Sequence, residues 1–257
     1  MADFIRVERL VKRYRARDGT EVEALRDVSF GVGRGEFVTI VGHSGCGKST
    51  LLKILAGLAE RTTGSVTIDD QDVQGPRSDV GIVFQKPLLL EWRRVLENVL
   101  LPIEIYGLDR GRYEALARRL LQTAGLERFL GKYPFELSGG MQQRVALCRA
   151  LVAEPSLLLI DEPFGSLDAL TRQKMGFELL RLWQEWKSTV LFVTHDIVES
   201  IMLADRVVVM SPRPGRIIDV VPVDLPRPRD LLMQDTPAFA TLASRIRRRL
   251  WEEEPDV

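Results

Sequence analysis

Short apolar runs alternate with helical patterns along most of this chain, and each pattern predicts an element. Predicted strands, in chain order, are Phe4–Val11, Val28–Val32, Phe37–Val41, Val66–Ile68, Val80–Phe84, Leu157–Ile160, Val190–Thr194 and Val207–Met210. Predicted helices are Ser49–Leu58, Gln142–Leu151, Leu170–Trp186 and Ile197–Ala204. Strands that alternate with helices in this way predict a mostly parallel sheet covered on both faces.

Two segments depart from this alternation. From Val95 to Gly131 the period is helical throughout, which predicts a helical subdomain inserted at about residues 90–145. The tail is rich in proline from Ser211 to Pro228 and ends in a helical pattern, Pro237–Trp251, with one apolar stripe. We therefore expect one domain over residues 1–211 and an extension over 212–257 whose helix packs on its own domain.

Composition limits the functional classes. The 257 residues carry 36 Lys plus Arg and 36 Asp plus Glu, so the balanced charge gives no overall attraction to nucleic acid. Cys46 and Cys148 have no metal-binding spacing, which is typical of a reduced compartment. Neither a signal-peptide pattern nor an apolar run of spanning length occurs, so any membrane role is expected to be peripheral.

The segment Gly42–Thr50, GHSGCGKST, has the pattern of a phosphate-binding loop and stands between a predicted strand and a predicted helix. Its glycines allow backbone N–H groups to surround phosphates, and the helix N-terminus adds partial positive charge. Lys48 supplies a full positive charge, and the Ser49 hydroxyl can reach Mg²⁺.

Two acids, Asp161 and Glu162, follow the apolar run Leu157–Ile160. Asp161 fits a role in holding the magnesium shell, and Glu162 fits a general base that orients and deprotonates the attacking water. Alone, the pair could simply begin a turn before Pro163; with the phosphate loop, it predicts a hydrolytic site.

The segment Leu137–Gln142, LSGGMQ, resembles the signature motif of the ABC transporter ATPases. The chain carries the motifs of that family in order: Tyr14, Gly42–Thr50, Gln85, Ser138–Gln142, Asp161-Glu162, Ser166-Leu167-Asp168 and His195. The resemblance implies an α/β fold: a P-loop NTPase (RecA-like) core with a mostly parallel sheet, an N-terminal antiparallel β subdomain and an inserted α-helical signature subdomain.

The resemblance also implies roles for single residues. Tyr14 would stack on adenine, and Gln85 would touch Mg²⁺ or the attacking water and sense a transmembrane partner. Ser138 and its following glycines would bind the γ-phosphate held by a second copy of the chain. His195 would contact the γ-phosphate, and Asp168 would communicate across the dimer. The full nucleotide-binding set comprises Tyr14, Gly42, His43, Ser44, Gly45, Cys46, Gly47, Lys48, Ser49, Thr50, Gln85, Ser138, Gly139, Gly140, Gln142, Asp161 and Asp168. Of these, Ser49, Gln85 and Asp161 are the expected magnesium ligands, and Glu162 and His195 are the expected catalytic residues.

A narrower resemblance is to the ATP-binding subunits of nitrate, sulfonate and taurine importers. It rests on Glu162–Arg172, Arg213–Ile217 and Leu225–Arg229. It implies a head-to-tail homodimer that binds ATP and Mg²⁺ at the cytoplasmic face of the membrane. Its partners would be a permease and, indirectly, an external solute-binding protein, and not nucleic acid. One departure is Leu90-Glu91-Trp92, where proline commonly precedes the tryptophan.

Two other classes compete with this interpretation. A cassette ATPase of DNA repair would carry a long coiled coil between Lys48 and Ser138, and a translation factor would carry two cassettes. The sequence shows neither feature, which disfavours both. A nucleotide sensor without hydrolysis would not need Glu162 and His195. The segment Lys86–Arg94 contains the apolar residues Leu88-Leu89-Leu90 and Trp92, which either form a socket for a permease helix or fold back into the core of the helical subdomain. Cys46 is expected to be the more reactive cysteine, and Cys148 is expected to be a small buried hydrophobe.

Overall fold

A computed structural model of the protein describes residues 3–15, 19–165 and 168–253. The strands are β1 (Ile5–Arg15), β2 (Glu21–Val32), β3 (Phe37–Val41), β4 (Thr63–Ile68), β5 (Gln71–Asp72), β6 (Val80–Val83), β7 (Leu157–Asp161), β8 (Thr189–Thr194), β9 (Arg206–Met210) and β10 (Ile217–Pro222). The α-helices are α1 (Lys48–Leu55), α2 (Val95–Val99), α3 (Leu101–Ile105), α4 (Arg110–Thr123), α5 (Gly139–Leu151), α6 (Ala169–Trp186), α7 (Ile197–Leu203) and α8 (Pro237–Glu252).

The chain divides into two compact units, one formed by Met1–Pro76 with Thr189–Val257 and the other by Arg77–Ser188. They are called unit 1 and unit 2 below. The predicted boundary at residue 211 and the predicted insertion at about residues 90–145 stay predictions.

Unit 1 contains an antiparallel sheet in the order β2-β1-β4-β5. In β1, the side chains of Ile5, Val7 and Leu10 are buried in the core. Ile5 and Val7, paired with Val32 and Phe30, lie on one face because side chains in a strand alternate with a period of two, and the register shift between Val7 and Leu10 brings Leu10 to the buried side as well.

The second sheet of unit 1 contains the strands β10-β9-β3-β8 in that order. All five residues of β3 are buried, as expected for a central strand with parallel neighbours on both sides. Because parallel strands align their carboxyl ends, the loops after β3 and β8 leave the same edge of the sheet.

Helix α8 packs against α7, β9 and β10 within unit 1. Thr236 caps its N-terminus by accepting from the Phe239 N–H at 3.3 Å. Phe239, Ala243 and Ile246 form its buried stripe, as the sequence predicts for a helix on its own domain. The guanidinium groups of Arg245 and Arg249 pair with Asp219 of β10, at 2.8 and 3.4 Å.

Unit 2 contains the parallel pair β6-β7 and the helices α2 to α6. Helix α5 contacts α2, α3, α4 and β6, so it is the central helix of this unit. Across the described residues, no helix combines the length and apolar character needed to cross a membrane.

Candidate nucleotide-binding and hydrolysis site

The phosphate-binding loop begins directly after β3, and its last three residues, Lys48–Thr50, form the start of α1, both in unit 1. Gly47 caps α1 with a φ of 108°, a left-handed conformation that side chains other than glycine rarely adopt. A Cβ at Gly47 would lie 2.8 Å from the Ala24 carbonyl oxygen, and one at Gly42 would lie 2.9 Å from the Cys46 Sγ. Glycine is therefore required at both positions by close packing.

Lys48 is 4% exposed, and its ammonium group lies within the loop. Its Nζ donates to the carbonyl oxygens of Gly42 at 2.8 Å and His43 at 3.0 Å. These contacts hold a positive charge against the curl of the loop, where a phosphate would bind.

The rest of the loop differs in exposure. Ser44 and Gly45 are exposed, whereas Ser49 and Thr50 in the first turn of α1 are half-buried. Cys46 is 1% exposed, so its predicted reactivity depends on an opening of the loop. Cys148 is fully buried, and burial raises the pKa of its thiol to about 12, which confirms its predicted role as a small buried hydrophobe.

His195 leaves the same sheet edge as the phosphate loop. The last residues of β3 and β8, Val41 and Thr194, are register partners in the parallel pair. His195 follows Thr194 directly and is exposed. The next residue, Asp196, caps α7 by accepting from the Glu199 N–H at 3.0 Å. Unit 1 therefore brings the loop and this imidazole to one edge, and the predicted contact of His195 with the γ-phosphate stays a prediction.

Tyr14 lies on β1 of unit 1, and its side chain is 42% exposed. The ammonium of Lys12 lies 4.8 Å from the ring centroid, at cation–π distance. Its predicted stacking on adenine stays a prediction.

In unit 2, Gln85 and the acid pair leave one sheet edge. Val83 of β6 and Ile160 of β7 are register partners, so Asp161, the last residue of β7, and Gln85, two residues after β6, lie at neighbouring strand ends. Asp161 is 8% exposed, whereas Gln85 is exposed. Glu162 adopts a φ of 41°, a conformation that costs a non-glycine residue of the order of 1–3 kcal/mol and recurs at functional sites.

The signature motif forms the N-terminus of the 13-residue helix α5. Ser138 is its N-cap and accepts from the Met141 N–H at 3.4 Å. A Cβ at Gly139 would meet nothing within 4 Å, so this helix end is open to a ligand. Gly140 is half-buried, and the Gln142 side chain donates to the Pro134 carbonyl at 2.9 Å, a structural contact that the predicted nucleotide role did not include.

Asp168 is exposed and caps α6 by accepting from the Thr171 N–H at 3.0 Å. Hydrogen bonds from the Thr171 side chain and backbone lower the pKa of this carboxyl, so it is ionised at neutral pH. Ser166 and Leu167, the other residues of this motif, lie outside the described residues.

Two polar residues of α5 that sequence reasoning missed hold the segment around Gln85. The buried Gln143 donates to the Phe84 carbonyl at 3.3 Å. Arg149 donates to the carbonyls of Pro87 at 2.7 Å and Leu88 at 2.8 Å. The sequence signal that could have identified Gln143 and Arg149 is a polar residue at a position of the helical period that faces the core.

Comparison with known proteins identifies the family. Residues 25–165, more than half of the chain, match the family model described as "ABC transporter". This chain is an ABC transporter ATP-binding cassette. An uncharacterised ABC transporter ATP-binding protein of Methanocaldococcus jannaschii is 47% identical over 88% of this cassette and 84% of its own length. The taurine import ATP-binding protein TauB of Rhizobium johnstonii is 42% identical over 98% of both chains.

A solved structure supports the fold and the activity of the cassette. The ATP-binding cassette MJ0796, solved as a post-hydrolysis dimer with ADP and phosphate, superposes with a TM-score of 0.75. It is 33% identical over 86% of this cassette and 99% of its own chain. The predicted P-loop NTPase core with an antiparallel subdomain is therefore confirmed, and the cassette binds and hydrolyses ATP.

Proposed function

We propose that this cassette works as a homodimer that energises uptake of a small solute through a separate membrane permease. The solute class is that of nitrate, sulfonates and taurine. Relatives named for taurine import and nitrate import support it, the latter being NrtC of Synechococcus elongatus at 42% identity. That match covers 96% of this cassette but only 38% of the length of NrtC.

The observation that carries the dimer proposal is the open N-terminus of α5. Ser138 and Gly139 are exposed there, and no side chain of the described residues covers the position of a Cβ at Gly139. A helix N-terminus binds anions through its N–H groups and its dipole. We propose that this end binds the γ-phosphate of an ATP held by the phosphate loop of the second copy.

The donor types at the predicted site fit ATP with Mg²⁺. The glycine cradle and the buried Lys48 suit phosphate oxygens, and the oxygen atoms of Ser49, Gln85 and Asp161 are the ligands that Mg²⁺ prefers. When bound, the ion would neutralise charge on the phosphates.

The remaining steps belong to side chains of the chain itself. We propose that the Glu162 carboxylate orients the attacking water and accepts its proton. His195 would donate a hydrogen bond to the γ-phosphate, and Lys48 would stabilise the charge that develops on its oxygens.

A permease helix would dock on unit 2. In the segment Lys86–Arg94, Leu88 is 56% exposed and Trp92 is 74% exposed, so these side chains do not fold into the core. Beside the carbonyls that Arg149 holds lies a groove of about 310 Å³. Its lining includes Ile82, Phe84, Leu101, Ile105 and Tyr106. The groove is lined by residues of α3 and by none of the predicted socket residues. We therefore propose that the permease helix contacts this groove at α3 in addition to the segment Lys86–Arg94.

Mixing differently inactivated chains tests the shared site. A Lys48→Ala chain and a Ser138→Arg chain should each be inactive alone, because each homodimer lacks one essential half of both sites. In the mixed dimer, one of the two sites combines an intact Lys48 from one chain with an intact Ser138 from the other. If the two sites hydrolyse ATP independently, phosphate release should recover to about half of the parental rate. Mixing Lys48→Ala with itself is the control; no recovery in purified heterodimers would contradict the shared site.

A second experiment tests permease docking. Trp92→Glu should abolish co-purification with the permease while the variant still folds and binds ATP. Leu232→Glu is a matched control, because Leu232 is also 74% exposed but lies in unit 1. Cooperative unfolding of the Trp92→Glu variant at ordinary temperature would contradict a surface role.

A further inference from the structure

The C-terminal extension meets the phosphate-binding loop within unit 1. The His43 Nε2 lies 3.3 Å from the Leu250 carbonyl oxygen, in the last turns of α8. Because a carbonyl can only accept, this contact makes Nε2 the protonated ring nitrogen. The turn before β10 also reaches the loop, since the Arg213 Nε donates to the Gly45 carbonyl at 3.3 Å.

His43 is therefore held through both its backbone and its side chain. Its carbonyl accepts from the Lys48 Nζ at 3.0 Å and from the Cys46 N–H at 3.2 Å. These contacts fix the curl of the loop, and the imidazole fixes the loop to α8.

The last turn of α8 is weaker than the rest of the helix. Glu252 and Glu253 stand at the C-terminus, where the helix dipole disfavours negative charge. The body of the helix is anchored separately by its buried stripe and by the Asp219 ion pairs. Among the described residues, the ion pairs at this end are both at 3.4 Å, from Arg216 to Glu253 and from Arg249 to Glu252.

We propose that the last turn of α8 positions the phosphate loop through His43, so that docking of this turn and nucleotide binding favour each other. The proposal rests on the proposed nucleotide role of residues 42–50. A loop already held in its binding conformation loses less freedom when the ligand binds. By linkage, bound nucleotide must stabilise the docked turn by the same factor.

Four full-length or truncated variants test the contact. His43→Ala removes the donor, and a stop codon at Leu250 removes the acceptor while the buried stripe and the Asp219 pairs remain. His43→Gln keeps a donor near the position of Nε2, and a stop codon after Glu253 keeps the carbonyl. Isothermal titration with MgADP is the binding measurement.

We expect the dissociation constant for MgADP to rise about five-fold in His43→Ala and in the Leu250 truncation, as the loss of one hydrogen bond predicts. The glutamine variant and the shorter truncation should stay within about two-fold of the parent. The combined His43→Ala truncation should bind no more weakly than either change alone, because both remove one contact. Additive losses, or tighter binding after truncation because a repulsive helix end is gone, would overturn the proposal.

Hydrogen exchange distinguishes this linkage from a purely structural role of the contact, because a structural role would not make amide exchange in the last turn of α8 depend on nucleotide. MgADP should slow exchange of the amides at 251–253 in the parent and not in His43→Ala. Lys48→Ala separates the two levels of the argument. If Lys48→Ala still binds MgADP with parental affinity, the proposed nucleotide site is wrong. If it does not bind but the His43 variants match the parent, only the α8 linkage is overturned.

Discussion

Arg229 offers the sharpest stability test in unit 1. Its side chain is 5% exposed and donates to five backbone carbonyls without a carboxylate among them. Three of the carbonyls, those of Ile201, Met202 and Ala204, lie at the C-terminal end of α7, at 2.7, 3.2 and 2.6 Å. The guanidinium thus satisfies the carbonyls at the C-terminal end of α7, the helix that begins beside His195.

Replacement of Arg229 by methionine keeps most of the apolar stem but removes every donor. The carbonyls at the end of α7 would be buried without partners, each at a cost of about 1–3 kcal/mol. The substitution also removes the unfavourable free energy of burying a charged group. That desolvation lowers the pKa of Arg229 to about 10. Because three carbonyls at the end of α7 lose their partner and the removed charge offsets part of that cost, we expect a net loss of about 3–5 kcal/mol of unfolding free energy.

At about 2–4 °C per kcal/mol for a chain of this size, the melting temperature should fall by about 6–20 °C. Arg248→Met is a matched control, because Arg248 is exposed on α8, and its effect should stay within about 0.5 kcal/mol. Urea titration of both variants at neutral pH measures the difference. A loss below about 1 kcal/mol in Arg229→Met would refute the view that this guanidinium satisfies the end of α7.

Three further outcomes follow from the site and from α8. Glu162→Gln should lower phosphate release by roughly 10²-fold or more while ATP still binds, and parental turnover would assign the base to another residue. Maleimide should modify Cys46 before Cys148, and MgATP should protect Cys46; mass spectrometry that finds Cys148 modified first would contradict this order. Burial opposes ionisation of Asp219, but hydrogen bonds and charge from Arg245 lower its pKa, so its stabilisation is present above the unfolded pKa of about 4 and is lost as pH falls through the folded pKa. In urea titrations from pH 3 to 7, Asp219→Asn should remove this part of the pH dependence, about 1 kcal/mol, and an unchanged profile would place the titration elsewhere.

Buried parallel strands were the elements that the sequence predicted best. Phe37–Val41 was predicted with the bounds of β3, because every residue of this strand between two parallel neighbours is buried and all but Thr39 are apolar. Strand β10, Ile217–Pro222, was missed, since the prolines before and after it indicate a turn-rich tail. The structure accommodates them because β10 is an edge strand that pairs only with β9.

The helical segment shows a different limit. The helical period from Val95 to Gly131 predicts a helical subdomain but not its internal breaks; the structure ends α2 at Val99 and starts α3 at Leu101. Pro102 removes one backbone donor there, and a proline is tolerated in the first turn of a new helix. Periodicity reports which face is buried and does not report where the axis changes direction.

The chemistry of the site was predictable wherever it depends on local geometry. The phosphate loop, the acids after β7 and the capping Ser138 each follow from residues within a few positions of one another. The roles of His43, Gln143 and Arg149 depend on carbonyls 59 to 207 positions away in the chain, and a carbonyl has no sequence signature.

Helix α5 connects the segment where a permease would dock with the end that would bind the γ-phosphate. Its N-terminus carries Ser138, and further along the same helix Gln143 and Arg149 hold the carbonyls of Phe84, Pro87 and Leu88. A helix of 13 residues is about 20 Å long and moves as a rigid body on the scale of side-chain contacts. A displacement of the segment after Gln85 by a docked partner would therefore move the signature end of α5 with it. Both contacts belong to a single element, and because α5 packs against α2, α3, α4 and β6, these neighbours would move with it or repack around it.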